Sequence, residues 1–256
     1  MNGAFYIGAV GLDAQQRALE VIANNVANIN TTAFKRSAVR FSELAAPLRD
    51  GDDLAISRTG PATLQGVALS GTPLVWTQGA LQQTGQQFDL AINGDGFIEL
   101  AGPSGHSLLW RGGTLKINGD GLVATADGTP LRAMIAVPQG TGTLTIGNDG
   151  KVSAITGGDS TAQQIGQIDL VTAKSPDALA DTGNGYFEAD DESQLATVSP
   201  GEEGSGVLVQ GSLESSNSQL ADEMTNVLLA QRAFGANAQV VQAGDQIMSI
   251  VNQLRR

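Results

Sequence analysis

Three glycine-rich turns in the chain resemble loops that bind calcium. They are Asn93-Gly94-Asp95-Gly96, Asn118-Gly119-Asp120-Gly121 and Asn148-Asp149-Gly150. A calcium loop needs several converging carboxylates, usually with a bidentate glutamate, and each of these turns carries a single aspartate. Asn-Gly and Asp-Gly pairs also supply the positive φ that tight hairpin turns need. We therefore interpret them as turns and expect no metal site.

Other residues that could take part in catalysis lack the partners that catalysis needs. The segment 140–147 is rich in glycine, but it has neither the lysine nor the helix start of a phosphate-binding loop. The single histidine, His106, follows no nucleophile-elbow pattern, so no serine has an evident base. Adjacent carboxylates at 190–192 and 202–203 are typical of a solvated loop rather than a glycosidase pair. The sequence predicts no catalytic residue and no enzyme.

Composition excludes further classes of site and ligand. The chain has no cysteine, which removes disulfides and thiolate sites, and one histidine cannot build a zinc site. Residues 1–40 carry four basic and two acidic side chains. Residues 41–212 carry seven basic and twenty acidic side chains, and residues 213–256 carry three basic and four acidic side chains. The acidic middle argues against nucleic acid or an anionic membrane as partner. We expect no cofactor.

Both ends of the chain carry apolar residues at a spacing of seven. Near the start these are Phe5, Leu12, Leu19 and Val26, with Ile22 and Ile29 between them. Near the end the same spacing joins Leu213, Leu220, Val227, Phe234, Val241 and Met248, with Met224 and Val251 among the intervening residues. Such stripes predict helices that bury one face against another helix. An ordinary helix pair in the core of a monomer is the alternative to pairing with other copies.

The first helix is predicted over residues 3–33, with Gly3, Gly8 and Gly11 weakening its first turns. Asn24, Asn25 and Asn28 fall in an amide-rich segment near its end, where short polar side chains compete for the backbone. This segment is either a helix end that frays into a turn or a buried layer of amides that bond to neighbouring chains. Lys35, just past the helix, suits the negative pole of the helix dipole.

The middle of the chain has a different pattern. From Phe88 onward, short apolar runs of three to six residues alternate with turn signals, which predicts an all-β body. We therefore predict an α+β chain in which long N- and C-terminal helices pair as a coiled-coil-like layer. The expected parts are a helical assembly domain (1–35 and 213–256), an extended or hairpin connector (36–85) and a β-rich outer domain (86–212).

The termini give two further expectations about localisation. No run of eighteen apolar residues is present, so we expect no lipid-embedded helix. The N-terminus does not have the basic and apolar blocks of a cleavable secretory signal, because its apolar residues are spaced as in a helix. If the protein is exported, we expect its N-terminus to stay in place.

Motifs at both ends resemble those of bacterial flagellar rod and hook proteins, the axial family of the hook–basal body. At the start these are the segments Gly11–Gln16, Ile22–Asn28 and Phe34–Arg36, and at the end Gly211–Asn217, Leu229–Phe234 and Asp245–Met248. Arg111 stands where the family commonly has an aromatic-x-Arg-x-Gly element. Within the family, the chain is most similar to the distal-rod proteins.

This resemblance implies a structural subunit of the basal-body rod that assembles helically into a hollow, torque-transmitting shaft. Implied partners are copies of itself, other rod and hook proteins, the surrounding ring proteins and a type III export apparatus. A proximal-rod or hook subunit is the alternative within the family, and a secreted β-rich binding or adhesin protein is the alternative outside it. The predicted assembly interface comprises Phe5, Leu12, Leu19, Ile22, Asn24, Asn25, Val26, Asn28, Ile29, Leu213, Leu220, Met224, Val227, Phe234, Val241, Met248 and Val251.

Overall fold

The computed structural model of the chain describes residues 2–43, 67–102, 107–156, 162–189, 194–202 and 204–254. His106, the acidic residues at 190–192 and Glu203 lie outside these ranges. These residues form two compact units, one built from the described parts of 1–27, 37–75 and 219–256 and the other from the described parts of 28–36 and 76–218. The division into an assembly domain, a connector and an outer domain stays a prediction.

The first unit contains the two long helices and one small hairpin. Helix α1 spans Asn2–Ala27 and helix α2 spans Leu220–Leu254, and strands β1 (Arg40–Glu43) and β2 (Val67–Gly71) pair antiparallel. The helices pack against each other, and α1 also contacts β2. Neither helix has an apolar stretch of the length and hydropathy that crossing a bilayer requires, within the residues described.

Helix α1 ends six residues earlier than predicted. The chain after Ala27 turns, and the Thr31 amide donates to the Asn28 carbonyl oxygen at 3.1 Å. The Thr31 hydroxyl also bonds to the Asn28 side-chain oxygen at 3.1 Å. These local bonds compete with the helix for the backbone, as short polar side chains do. The second half of the amide-rich segment therefore forms a turn, whereas Asn24 and Asn25 lie in the last turns of α1.

The second unit is almost entirely antiparallel β-structure. Its strands are β3 (Leu81–Gln83), β4 (Asp89–Asn93), β5 (Phe97–Ala101), β6 (Ser107–Trp110), β7 (Gly112–Ile117), β8 (Val123–Thr125), β9 (Thr141–Ile146), β10 (Lys151–Thr156), β11 (Gln163–Gln167), β12 (Leu170–Ala173), β13 (Leu179–Gly183), β14 (Tyr186–Ala189), β15 (Leu195–Val198), β16 (Val207–Gln210) and β17 (Ser212–Glu214). The α+β prediction, with helices near both ends and a β body, is confirmed.

These strands form four sheets around one apolar core. The strand orders are β13-β14-β6-β5-β12-β15, β16-β4-β7-β8, β11-β10-β9 and β17-β3. Leu90, Ile98, Leu170 and Leu208 come from different strands and are fully buried in this core. Burying each such side chain stabilises the unit by roughly 1.5–3 kcal/mol relative to exposure. The interpretation of the glycine-rich turns as tight turns fits the positive φ of Gly94, Gly96, Gly121 and Gly150.

One residue of the predicted C-terminal stripe does not lie in a helix. Leu213 is in strand β17, where it pairs with Gln82 of β3, and α2 begins seven residues later at Leu220. The seven-residue spacing from Leu213 to Leu220 is therefore a coincidence of sequence. The neighbours of Leu213 are the buried ones, because Ser212 and Glu214 point into the unit.

Candidate assembly site

The two helices approach each other closely at small residues. A Cβ atom on Gly8 would lie 2.7 Å from Val241 Cγ2, and one on Gly11 would lie 2.8 Å from Asn237 Nδ2. Ala14, Ala18 and Ala230 are buried along the same helices. Because Gly8 faces Val241 while Asn25 faces Glu223, α1 and α2 run antiparallel. The glycines that weaken α1 as a helix are therefore the residues that allow α2 to approach.

We expect Gly11→Leu to destabilise the helical unit by about 1–3 kcal/mol, because the added side chain must displace Asn237 from a packed contact. Gly235→Ala is the matched control, since a Cβ atom there meets nothing within 4 Å. That control should stabilise α2 by about 1 kcal/mol through helix propensity alone. Urea denaturation followed by far-UV circular dichroism measures both. Equal effects of the two substitutions would contradict the close approach.

Helix α2 extends beyond the start of α1. Thirteen residues of α2 follow Val241, whereas six residues of α1 precede Gly8, which faces it. The excess of seven residues corresponds to about 10 Å of helix. Large apolar side chains in this last part of α2 are exposed, with Met248 at 43%, Ile250 at 55% and Leu254 at 82%. The end of α2 thus presents apolar surface that α1 does not cover.

Exposed apolar side chains continue along the rest of the helix pair. We call this set, together with the end of α2, the terminal apolar surface; it comprises Phe5, Tyr6, Leu220, Met224, Leu228, Leu229, Phe234, Val240, Ile247, Met248, Ile250 and Leu254. Consecutive residues such as Leu228 and Leu229, both more than half exposed, point in different directions around a helix. A single partner helix cannot cover all of them, and large exposed apolar patches mark interaction sites.

The predicted interface residues fall into three groups in the structure. Six are exposed, namely Phe5, Asn24, Leu220, Met224, Phe234 and Met248. Eight are half-buried, namely Leu12, Leu19, Val26, Asn28, Ile29, Leu213, Val227 and Val241. Ile22 and Asn25 are buried within their own chain, and the side chain of Val251 lies outside the described residues. The role of this set in assembly stays a prediction.

Sequence reasoning missed several residues of the terminal apolar surface. Tyr6, Leu228, Leu229, Val240 and Ile250 are exposed, yet they do not fall on a seven-residue spacing. The spacing selects one stripe of a helix, whereas these residues lie around the rest of it. These residues could have been recognised in the sequence because α2 is apolar on several faces, which is typical of a helix that is surrounded by partners.

Asn25 is the polar centre of the helical unit, and its side chain is 1% exposed. Its Oδ1 atom accepts from the Ser37 amide at 2.9 Å, and its Nδ2 atom donates to the Ser37 carbonyl oxygen at 2.9 Å. The same Nδ2 atom donates to Glu223 Oε1 at 3.3 Å, and Glu223 is also buried. These hydrogen bonds of Asn25 are made inside its own chain, and a role of the amide-rich segment in bonding to neighbouring chains stays a prediction.

A buried carboxylate organises the β-rich unit. Glu214 Oε1 accepts from Lys35 Nζ at 2.6 Å and from the Gly79 amide at 2.9 Å, while Oε2 accepts from Arg111 Nε at 3.1 Å. Side-chain exposure is 1% for Lys35, 5% for Arg111 and 1% for Glu214. Buried charges of this kind persist only when they are paired and hydrogen-bonded. We call these three side chains the Glu214 centre.

The remaining donors of the Glu214 centre are satisfied by backbone oxygens. Arg111 donates through its two terminal nitrogens to the carbonyl oxygens of Gly94 and Gly96, and its guanidinium lies 5.8 Å from the ring centroid of Phe97. Lys35 also donates to the Thr77 carbonyl oxygen at 3.1 Å. Burial lowers the pKa of the Lys35 amine below its ordinary value, although the Glu214 carboxylate opposes that change. Lys35, which follows the helix end in sequence, thus has the buried Glu214 carboxylate as its ionic partner.

The Glu214 centre joins the segment after α1 to the segment before α2. The Ala33 amide donates to the Glu214 carbonyl oxygen at 2.8 Å, and the Arg36 amide donates to Asn217 Oδ1 at 2.7 Å. Asn217 Nδ2 donates in turn to the Thr77 carbonyl oxygen at 3.0 Å. All of these residues belong to the β-rich unit, so the flanking segments of both helices are part of its fold.

The part of the chain that the structure describes contains no group of three His, Cys, Asp or Glu side chains that could hold a metal ion. Its most buried ionic group, the Glu214 centre, uses its oxygens for two cations and an amide. The two features that the described residues offer are therefore a buried ionic contact, the Glu214 centre, and an exposed apolar surface, the terminal apolar surface.

Comparison with known proteins gives three family matches along the chain. Residues 5–35 match flagella basal body rod proteins, residues 91–154 match the D1 domain of flagellar hook proteins FlgE/F/G, and residues 209–254 match the C-terminal region of flagellar basal body rod FlgEFG proteins. The three matches follow the order helix, β body, helix. They include both helices and the central strands of the core.

Full-length relatives agree with these matches. The flagellar basal-body rod protein FlgG of Bacillus subtilis is 34% identical over 266 aligned residues, which cover 100% of both chains. FlgG of Caulobacter vibrioides is 34% identical over 98% of this chain and 99% of its own length. The basal-body rod protein FlgF of the same organism is 30% identical over 94% of this chain and 93% of its own.

Proposed function

Because the chain belongs to the family of bacterial flagellar hook and basal-body rod proteins, we propose that its helices assemble many copies into a hollow, torque-transmitting shaft. The protein is a structural subunit of the flagellar basal-body rod and has no enzymatic role. Within that function, our proposal concerns how the copies meet. The full-length similarity to FlgG proteins supports a place in the distal rod.

The observation that carries the proposal is the terminal apolar surface. Large side chains on both helices are exposed although α1 and α2 already pack together, as Phe5 at 51% and Met224 at 57% show. Covering each side chain of this size stabilises an assembly by about 1.5–3 kcal/mol before the costs of association are subtracted. Neighbouring copies would bury these side chains. In the assembly, α1 and α2 would be paired as a coiled-coil-like inner layer.

The contact between copies would be heterologous rather than two-fold symmetric. The uncovered end of α2 lies at one end of the helix pair, and Leu220, which is 50% exposed, lies at the other. A contact that joins two different patches generates a helical tube when its rotation does not close a ring. The acidic β-rich unit would then lie outside the helical layer, where like charges keep finished shafts apart.

Other components of the flagellum complete the proposal. The family association implies contacts with other rod and hook proteins, and we propose further contacts with the ring proteins around the shaft and with the type III export apparatus. The shaft would cross the periplasm as part of the basal body. Small residues along α1, such as Gly8 and Gly11, lower its stability as an isolated helix and favour export as an unfolded chain.

We expect Phe234→Ala and Leu220→Ala to abolish assembly while the β-rich unit stays folded. Each substitution removes apolar area from the terminal apolar surface, and neither residue belongs to the β-rich unit. The test is electron microscopy and sedimentation velocity of the purified chain over a concentration series, with motility of cells that carry each variant.

Met134→Ala is the matched control, because this side chain is 62% exposed but belongs to the β-rich unit. It should leave assembly unchanged. Normal shafts from both helix variants would overturn the proposed interface. A compact monomer with full helix content at every concentration would instead support a helix pair that needs no other copy.

A further inference from the structure

We propose that Asn184 is a site of spontaneous deamidation, at which the mature protein acquires an aspartate or isoaspartate. In this reaction the backbone nitrogen of the following residue attacks the asparagine Cγ atom, and the side-chain nitrogen leaves as ammonia. The resulting cyclic imide is opened by water at either carbonyl, so one water is consumed and no other reactant is needed. Glycine in the following position favours attack, because it has no side chain to hinder the approach.

The structure describes three Asn-Gly pairs in the β-rich unit, and two of them are held against this reaction. The Gly94 amide donates to Gln78 Oε1 at 3.2 Å, so the nitrogen that would attack Asn93 is engaged. A Cβ atom on Gly94 would lie 2.7 Å from the Gly206 Cα atom, which shows how tightly this turn is packed. The reacting atoms of this pair cannot rotate towards each other without loss of these contacts.

Asn118 is held through its side chain instead. Its Oδ1 atom accepts from the Asp120 amide at 3.0 Å and from the Leu122 amide at 2.9 Å. The carboxamide that would be attacked is therefore fixed towards residues further along the turn. Reaction at Asn118 requires two hydrogen bonds to break before Cγ can approach the Gly119 nitrogen.

Asn184 lacks both restraints. It is exposed, and neither its carboxamide nor the Gly185 amide takes part in a hydrogen bond with another described residue. Asn184 and Gly185 have φ values of 56° and 76°, which make them the two-residue loop between paired Gly183 and Tyr186. Loops of this kind must open for the imide to form, so the ease of opening decides the rate.

The surroundings of this hairpin favour such opening. Strand β13 is an edge strand of the six-stranded sheet, and its pairing with β14 shifts register between Asp181 and Gly183. Four of the five β13 residues are exposed, so few apolar contacts resist separation of this strand. Edge strands with little burial belong to the part of a protein that opens most readily.

The product would change the hairpin in two ways. Either product adds a negative charge beside Asp181 in a unit that is already acidic. Isoaspartate also adds a methylene group to the backbone of a two-residue loop, which disrupts the pairing of Gly183 with Tyr186. The effect should stay local, because Phe187 of β14 remains buried in contact with Trp76 and Phe97.

The test follows deamidation of the full chain at mildly alkaline pH by peptide mass spectrometry, with fragmentation that separates aspartate from isoaspartate. Asn184 should react at least about tenfold faster than Asn93 and Asn118, in line with the easier opening of its loop. The same chain unfolded in urea is the control, and there the three rates should converge. Asn184→Gly, which suits the positive φ, should remove the fast site without unfolding the protein.

Two results would overturn the proposal. One is equal or slower deamidation of Asn184 in the folded chain. The other is an unchanged order of rates in urea, which would assign the difference to local sequence rather than to the hairpin. Deamidation that is faster at Asn184 than at Asn93 and Asn118 in the folded chain, but similar at all three residues in urea, would establish the site.

Discussion

Replacing Glu214 with glutamine is expected to destabilise the β-rich unit by about 3–5 kcal/mol, which is a large part of the stability of a typical domain. The substitution keeps the size of the side chain but removes the charge that Lys35 and Arg111 share at 2.6 and 3.1 Å. Both cations would remain buried without a counterion, and the cost of an unpaired buried charge is the reason for the size of the effect.

Glu99→Gln is the matched control in the same unit. The Glu99–Arg132 ion pair spans 3.1 Å, but its side chains are 22% and 54% exposed. Solvent screens such a pair, so the control should change the free energy of unfolding by about 0–1 kcal/mol. Chemical denaturation followed by the fluorescence of Trp76 and Trp110 measures both variants. Similar losses from the two substitutions would show that burial of the Glu214 centre is unimportant.

Asn25→Asp is expected to destabilise the helical unit by about 3 kcal/mol. The new carboxylate would lie about as near to Glu223 as the present amide, which is 3.3 Å from Glu223 Oε1. It would also lose the donor that now bonds to the Ser37 carbonyl oxygen at 2.9 Å. Asn30→Asp is the control, because Asn30 is exposed and a surface charge there should cost little.

A second substitution separates the causes of this loss. Adding Glu223→Gln to Asn25→Asp removes the repulsion between two carboxylates but leaves the Ser37 carbonyl oxygen without its donor. The double variant should therefore recover part of the lost stability, as measured by thermal unfolding followed by far-UV circular dichroism. No recovery at all would show that Glu223 does not interact with Asn25, whereas full recovery would assign the whole loss to repulsion.

Periodicity was sufficient to predict both helices and the β body, because these depend on residues close together in sequence. The stripe from Leu220 to Met248 lies on α2, and the short apolar runs after Phe88 became strands. The same reasoning failed at Leu213, where a spacing of seven continued by chance into a strand. Strand β17 buries Ser212 and Glu214, and a strand with polar residues on its buried side gives no apolar alternation to recognise.

The polar centres could not be predicted from local pattern. Glu214 is buried because Lys35 and Arg111 surround it, and these residues lie 179 and 103 positions away in the chain. Asn25 is buried because Glu223, 198 positions away, faces it. A charged or amide residue that is stabilised by distant partners looks like a surface residue in sequence. Gly8 and Gly11 likewise looked like weak helix positions, because the helix that approaches them is distant in sequence.

The position of Glu214 near the end of the chain also sets the order in which the protein can acquire its fold. A chain that appears N-terminus first presents Lys35 and Arg111 well before Glu214 exists. At a synthesis rate of about 10 residues per second, the 103 residues from Arg111 to Glu214 take roughly 10 seconds. During that interval burial of the two cations would be opposed by their missing counterion. We therefore expect the β-rich unit to close only when strand β17, which carries Glu214, becomes available.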